Sequence, residues 1–137
     1  DFCEKYTIYD ELYCLDLRQT PLPFQDREFS VATCVETIEH LPKKQGEQLL
    51  DELGRIADTV IVSTPSSYFK QPKSHTAHNP FQAHVSQWTV DDFKKRGYDV
   101  KGVGELAAHK LAIPTRKLTC KFPRLHQFLL AKSKHKE

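Results

Sequence analysis

Two short apolar runs bracket a stretch of helical periodicity, and this arrangement constrains the fold more than any other feature of the chain. The first run, Phe29-Ser30-Val31-Ala32-Thr33-Cys34-Val35, is apolar except at Ser30 and Thr33. That pattern fits a strand in a central parallel position, apolar on both faces. The second, Thr59-Val60-Ile61-Val62-Ser63, is β-branched and stopped by Pro65. Between them, Leu49, Leu50, Leu53, Ile56 and Ala57 share one face of a helix predicted over Lys43 to Ala57. Gly46 and Gly54 weaken that helix by about 1 kcal/mol each relative to alanine. Strand, helix, strand predicts a parallel pair joined by a right-handed crossover. The fold class is therefore α/β, with a ligand crevice expected at the carboxyl ends of the strands.

The flanking segments carry local punctuation. Phe2 to Tyr6 reads as the end of a helix and Glu11 to Leu15 as a short strand ending at Asp16. Thr20 to Asp26 is a proline-stiffened loop, and Pro42 marks a turn. Ser66 to Val85 is a long polar loop with three histidines, His75, His78 and His84. Thr89 is an N-cap with Asp92 three residues on, flanked by Trp88 and Phe93 as a hydrophobic staple. Gly97 supplies the stop, and Tyr98 to Val103 alternates as a strand. Gly104 to Pro123 has no regular pattern. His126 to Lys132 is predicted to be a closing strand, with a short helix as the alternative, and residues 132–137 to be a fraying basic tail.

The 137 residues suffice for a single domain, and 39% hydrophobic with 28% charged content is ordinary for a globular protein. No apolar run approaches the ~20 residues needed to span a bilayer. The opening Asp1-Phe2-Cys3-Glu4-Lys5 lacks the basic-then-apolar order of a secretory signal. Cys3, Cys14, Cys34 and Cys120 form no Cys-x-x-Cys, so reduced thiols and a cytoplasmic location are expected. The absence of methionine implies a chain that does not begin at a translational start. Charge is uneven: residues 1–58 hold 13 acidic and 6 basic side chains, whereas residues 110–137 hold 8 basic ones and only Glu137 as an acid. The basic end is either a solvated tail or a contact for an anionic partner such as RNA.

Val35-Glu36-Thr37-Ile38-Glu39-His40-Leu41 carries the most chemistry. Glu36, Glu39 and His40 stand at i, i+3 and i+4, which places them on one face of a helical turn. Two carboxylates and an imidazole on one face are half of a mixed oxygen/nitrogen metal site.

In order and spacing these pieces resemble the C-terminal two-thirds of a class I S-adenosylmethionine-dependent methyltransferase. The resemblance runs from Asp10 to Lys132. It rests on Cys14-Leu15-Asp16-Leu17, Pro21-Leu22-Pro23-Phe24, Phe29 through Leu41, Ile61-Val62-Ser63-Thr64-Pro65 and His84-Val85-Ser86-Gln87-Trp88-Thr89. It implies a Rossmann-like sheet, mostly parallel with an antiparallel last strand. It also implies S-adenosylmethionine as cofactor and methyl transfer to an oxygen or nitrogen nucleophile of a small molecule or RNA. Asp16 would face the adenine amino group, Leu17 would pack on the adenine, and Val35 and Glu36 would lie near the methionine part. Asp16 as a simple strand-end cap is the alternative.

The Glu-x-x-Glu-His pattern is similar to that of small-RNA 2′-O-methyltransferases and ubiquinone-biosynthesis O-methyltransferases. In the RNA branch it implies a divalent cation held by Glu36, Glu39, His40 and His84, with Glu39 and His40 as catalytic residues. Such a donor set suits Mn²⁺, Fe²⁺ or Zn²⁺ better than Mg²⁺. In metal-free relatives the same Glu-His-Leu serves as a turn cap and a structural or basic histidine. His75 and His78 read as solvated loop residues.

The family's acidic-x-Gly-x-Gly-x-Gly loop is not in this sequence, and Gly102-Val103-Gly104 falls too late to supply it. The expectation is an incomplete domain over 1–137, truncated at its N-terminus with the first two strands missing. Such a sheet would expose an apolar edge open to homodimerisation. A non-catalytic methyltransferase-like module contacting RNA or a protein partner is the alternative function.

Overall fold

Backbone pairing places the two apolar runs side by side. β1 (Phe29–Val35) pairs in parallel with β2 (Ala57–Pro65), from Phe29 opposite Ala57 to Val35 opposite Ser63. The computed structural model describes residues 9–66, 79–103 and 128–133. Helix α1 (Lys43–Ile56) connects β1 to β2. After a single 3₁₀ turn at Pro80–Gln82, α2 (Val90–Lys95) leads into β3 (Tyr98–Val103). β4 (Phe128–Ser133) then inserts between β2 and β3, antiparallel to both. Among the described residues the result is a mixed four-stranded α/β sheet of order β1-β2-β4-β3, with the last strand reversed.

The core lies where α1 and α2 meet the sheet. Leu49, Leu50, Leu53 and Ile56 of α1 pack with Cys34, Val60, Val62 and Ala131 of the strands, together with Trp88 and Phe93. Trp88 and Phe93 stand as the staple predicts, with ring centroids 5.5 Å apart. The capping box is complete: the Thr89 side chain accepts from the Asp92 amide, and Asp92 Oδ2 accepts from the Thr89 amide at 2.8 Å. Gly97 has φ +83°, the left-handed stop that favours glycine. Lys43 Nζ lies 3.7 Å over the Trp88 ring and pairs with Asp92 at 2.9 Å, so the start of α1 is bound to the start of α2.

Several expectations need correction. Glu11–Leu15 is not a strand; it is irregular and exposed. A strand needs a neighbour to bond with, and this segment instead joins the body through aromatic edges. Tyr13 meets Phe24 at 5.2 Å, and Phe24 meets Phe29 at 5.1 Å. β1 reads as a central strand but stands at the edge of this sheet. Alternation sends Ala32 and Cys34 toward the core, while Val31 and Val35 are 50% and 61% exposed. Lys132 and Ser133 do not fray: Lys132 lies opposite Ile61, and Ser133 Oγ accepts from the Val60 amide at 2.8 Å. Phe2–Tyr6, His75, His78, Gly104–Pro123 and residues 134–137 lie outside the described residues. No described helix is long and apolar enough to cross a membrane.

Gly46 is a close-approach position rather than a weak spot. A Cβ there would fall 2.5 Å from Trp88 Cζ2, whereas one at Gly54 meets nothing within 4 Å. Gly46→Ala is expected to lower unfolding free energy in urea by about 1–3 kcal/mol through overpacking, against its helix propensity. Gly54→Ala should raise it by about 0.5–1 kcal/mol. Equal effects at the two positions would contradict this packing.

Cys14 and Cys34 are free thiols. Burial first, and then the nearby Glu39 charge, push the Cys34 thiol up to about 11. The unfolded chain loses that proton at a lower pH than the folded one, so stability should fall as pH rises from about 9 toward 11. Peptide mapping after alkylation at pH 8 should find Cys14 modified before Cys34, and Cys34 reacting at a comparable rate only once the protein is unfolded.

Candidate functional site at the carboxyl end of β1

The chain leaves β1 by an abrupt turn. Glu36 has φ +46°, left-handed for a residue with a side chain. That conformation is held because its amide continues the ladder, donating to the Ser63 carbonyl at 3.1 Å. A 3₁₀ turn follows at Ile38–His40, pinned by Ile38, which is fully buried.

This geometry separates residues that a continuous α-helix would align. Glu36 and Glu39 do not share a helical face, because regular helix starts only after the left-handed step at Glu36. Ser63 Oγ donates to Glu36 Oε1 at 2.7 Å, while Thr64 Oγ1 donates to Glu39 Oε2 at 3.0 Å. Ser63 and Thr64 are neighbours on β2 and point to opposite faces. The two carboxylates are therefore held by different hydroxyls, with Glu39 buried and Glu36 exposed. Burial raises the Glu36 carboxyl above its ordinary range and the Glu39 charge adds to this, while the Ser63 hydrogen bond and the His84 and His40 imidazoles pull the other way.

The second wall comes from residues 83–88. The amides of Val85 and Ser86 both donate to the Glu39 carbonyl, at 2.9 and 3.1 Å. Ser86 Oγ donates to the Ile38 carbonyl at 3.3 Å and accepts from Trp88 Nε1 at 3.0 Å. These bonds lay His84 beside His40, with ring centroids 4.9 Å apart and planes at 72°. His40 Nδ1 lies 3.1 Å from the Ala83 carbonyl. A carbonyl can only accept, so the nitrogen facing it carries the proton, and in the neutral ring Nε2 holds the lone pair.

Glu39, His40 and His84 each offer a ligand atom, all within 4.8 Å of one another. Glu36 is outside that group. Ligand atoms around one cation at bonds of ~2.1 Å stand up to ~4 Å apart, so small rotations would close the set on an ion. One carboxylate and two imidazoles are a donor mixture that would suit a borderline divalent metal. A carboxylate as buried as Glu39 is costly without compensating partners, and a cation between the three side chains would compensate it. The donor chemistry fits a cation.

The other candidate residues are placed differently. Asp16 is exposed and gripped by Arg18, with Nε–Oδ1 at 2.9 Å and Nη2–Oδ2 at 2.8 Å. That side-chain bond pulls its carboxyl down to about 2. An adenine amine would have to share those oxygens with the guanidinium. Leu17 is half-buried and packs on the core cluster. Val35 is exposed at the end of β1, next to Glu36.

Comparison with known proteins bears on the fold. The chain is similar to a chain of the complex between the Haloferax volcanii Trm112 methyltransferase activator and a methyltransferase. The TM-score is 0.56 at 19% identity, covering 98% of this chain and 66% of that one. It is also similar to the small RNA methyltransferase HEN1, with a TM-score of 0.51 at 18% identity, covering 88% of this chain and 15% of that one. The chain has a methyltransferase-like fold. It spans less than two thirds of either of these chains. No protein-family profile matches the sequence. No curated protein matches it either.

Sequence reasoning did not single out Ser63, Thr64, Ala83 or Ser86 as parts of this site. Hydroxyls at the carboxyl end of an apolar strand are a usable signal for the first two. Ala83 acts through its carbonyl and leaves no trace in sequence. Ser86→Ala would orphan the indole N–H of the fully buried Trp88. The expected cost is about 1–3 kcal/mol in urea unfolding, and a change under 0.5 kcal/mol would show that this bond does not hold the wall.

Proposed function

We propose that this chain is the site-bearing part of an S-adenosylmethionine-dependent methyltransferase acting on an oxygen or nitrogen nucleophile, assisted by a divalent cation. The observation that carries the reading is the convergence of Glu39, His40 and His84 at the carboxyl end of β1 in a methyltransferase-like fold. S-adenosylmethionine would supply an electrophilic methyl on a sulfonium. A divalent cation would lower the pKa of an acceptor hydroxyl and orient its oxygen.

The chain's own residues would do the rest. Glu39, His40 and His84 would hold the cation, with Glu36 as a fourth donor reachable on release from Ser63. Without a cation, His40 Nε2, its partner nitrogen held by Ala83, would accept the acceptor's proton as a general base. Val35 and Glu36 would border the methionine part of the methyl donor. Asp16, on release of one oxygen by Arg18, would take the adenine amine, and Leu17 would flank the ring. The 8 basic side chains of residues 110–137 favour RNA over a small molecule as substrate, in keeping with the small-RNA substrate in the name of the HEN1 neighbour.

A second reading, a non-catalytic module that binds RNA, a protein or a second copy of itself, is supported by the exposed Val31 and Val35 on the outer strand. Calorimetry separates the two. Mn²⁺ should bind the wild-type chain and lose at least about tenfold in affinity in Glu39→Ala and in His84→Ala. Binding unchanged in both variants would remove the cation. S-adenosylhomocysteine should bind this chain weakly, because the glycine-rich sequence that approaches the cofactor in the resembling enzymes is not in it. Micromolar affinity would show that loop to be dispensable.

A further inference from the structure

Val60, Val62 and Thr64 alternate along the core face of β2, each no more than 1% exposed. Valine has nearly the shape of threonine and would fill the third position without a polar atom. A buried hydroxyl is costly unless it is bonded, and this one donates to Glu39 Oε2 at 3.0 Å. Glu39 is itself only 3% exposed, so hydroxyl and carboxylate answer each other inside the core.

The same arrangement recurs one residue on. His40 Nδ1 meets the Ala83 carbonyl at 3.1 Å. Thus Glu39 and His40 each have one polar atom bound by a group outside the Glu39–His40–His84 cluster, leaving Glu39 Oε1 and His40 Nε2 for the cluster. Outer partners of this kind fix ligand orientation and basicity at metal centres.

We propose that Thr64 is the positioning residue of a divalent-cation site formed by Glu39, His40 and His84. It holds the Glu39 carboxylate by one oxygen so that the other faces the two imidazoles. This rests on the cation reading of the preceding section and adds to it the residue that orders the carboxylate.

The test is Co²⁺ titration of the full chain, followed by visible absorption of the bound ion, with urea unfolding in the absence of metal run in parallel. Thr64→Val keeps the shape and removes the hydroxyl; it should weaken Co²⁺ binding about 10–100-fold and alter the absorption spectrum. Thr64→Ser restores the hydroxyl and should return affinity to within about threefold of wild type. Should the valine variant not fold, Thr64→Ala is measured in its place with the same expectation. Wild-type affinity in the hydroxyl-less variant, whatever its stability, overturns the proposal. So does a serine variant as weak as the valine one. Co²⁺ binding that is lost in Glu39→Ala yet intact in Thr64→Val overturns the role of Thr64 alone. No Co²⁺ binding by the wild type overturns the cation reading and this proposal with it.

Discussion

One backbone oxygen joins the two halves of the site. The Glu39 carbonyl accepts from the amides of Val85 and Ser86, which stand more than forty residues further along the chain. This pair of hydrogen bonds, with the Ala83 carbonyl on His40 Nδ1, sets where His84 stands relative to Glu39 and His40. The joint lies against the core: Ile38 and Trp88 are fully buried on either side, and Ser86 bonds to both. Buried backbone groups must be paired or the fold loses the cost of each orphan. Opening the joint would therefore expose two amides, a carbonyl and an indole N–H together. The clamp is cooperative because its members share partners.

The parallel pairing of β1 and β2 determines what reaches this joint. Both strands end at the same edge of the sheet, so Ser63 and Thr64 arrive opposite the turn that carries Glu36 and Glu39. Strand pleat then sorts the two acids. One hydroxyl takes Glu36 on the more open side, and the other takes Glu39 inward. Each of the two like charges thus has its own hydroxyl donor, while the Glu39 charge still pushes the Glu36 carboxyl up. The inner acid meets two imidazoles, the donor mixture that borderline divalent metals favour.

Features governed by short-range rules were legible in the sequence. The bounds of β1, the capping box at Thr89 and Asp92 and the left-handed glycine at Gly97 follow from interactions within a few residues. Features governed by distant neighbours were not. Glu11–Leu15 has strand composition but lacks a ladder partner, and β1 has central composition at an edge position. The Glu36–His40 turn shows the limit most clearly. Helical spacing assumed a helix from Glu36, but the Ser63 carbonyl keeps that residue in the ladder and turns it left-handed. His84 was suggested by resemblance alone, and Thr64 and the Ala83 carbonyl by nothing local.

Imidazole nitrogen resonances on addition of Zn²⁺ test the account most directly. His40 and His84 should both shift, with His40 losing its free Nε2 signal while Nδ1 keeps its proton on the Ala83 carbonyl. Shifts confined to other histidines, or binding through His40 Nδ1, would contradict a site assembled by the Glu39 clamp.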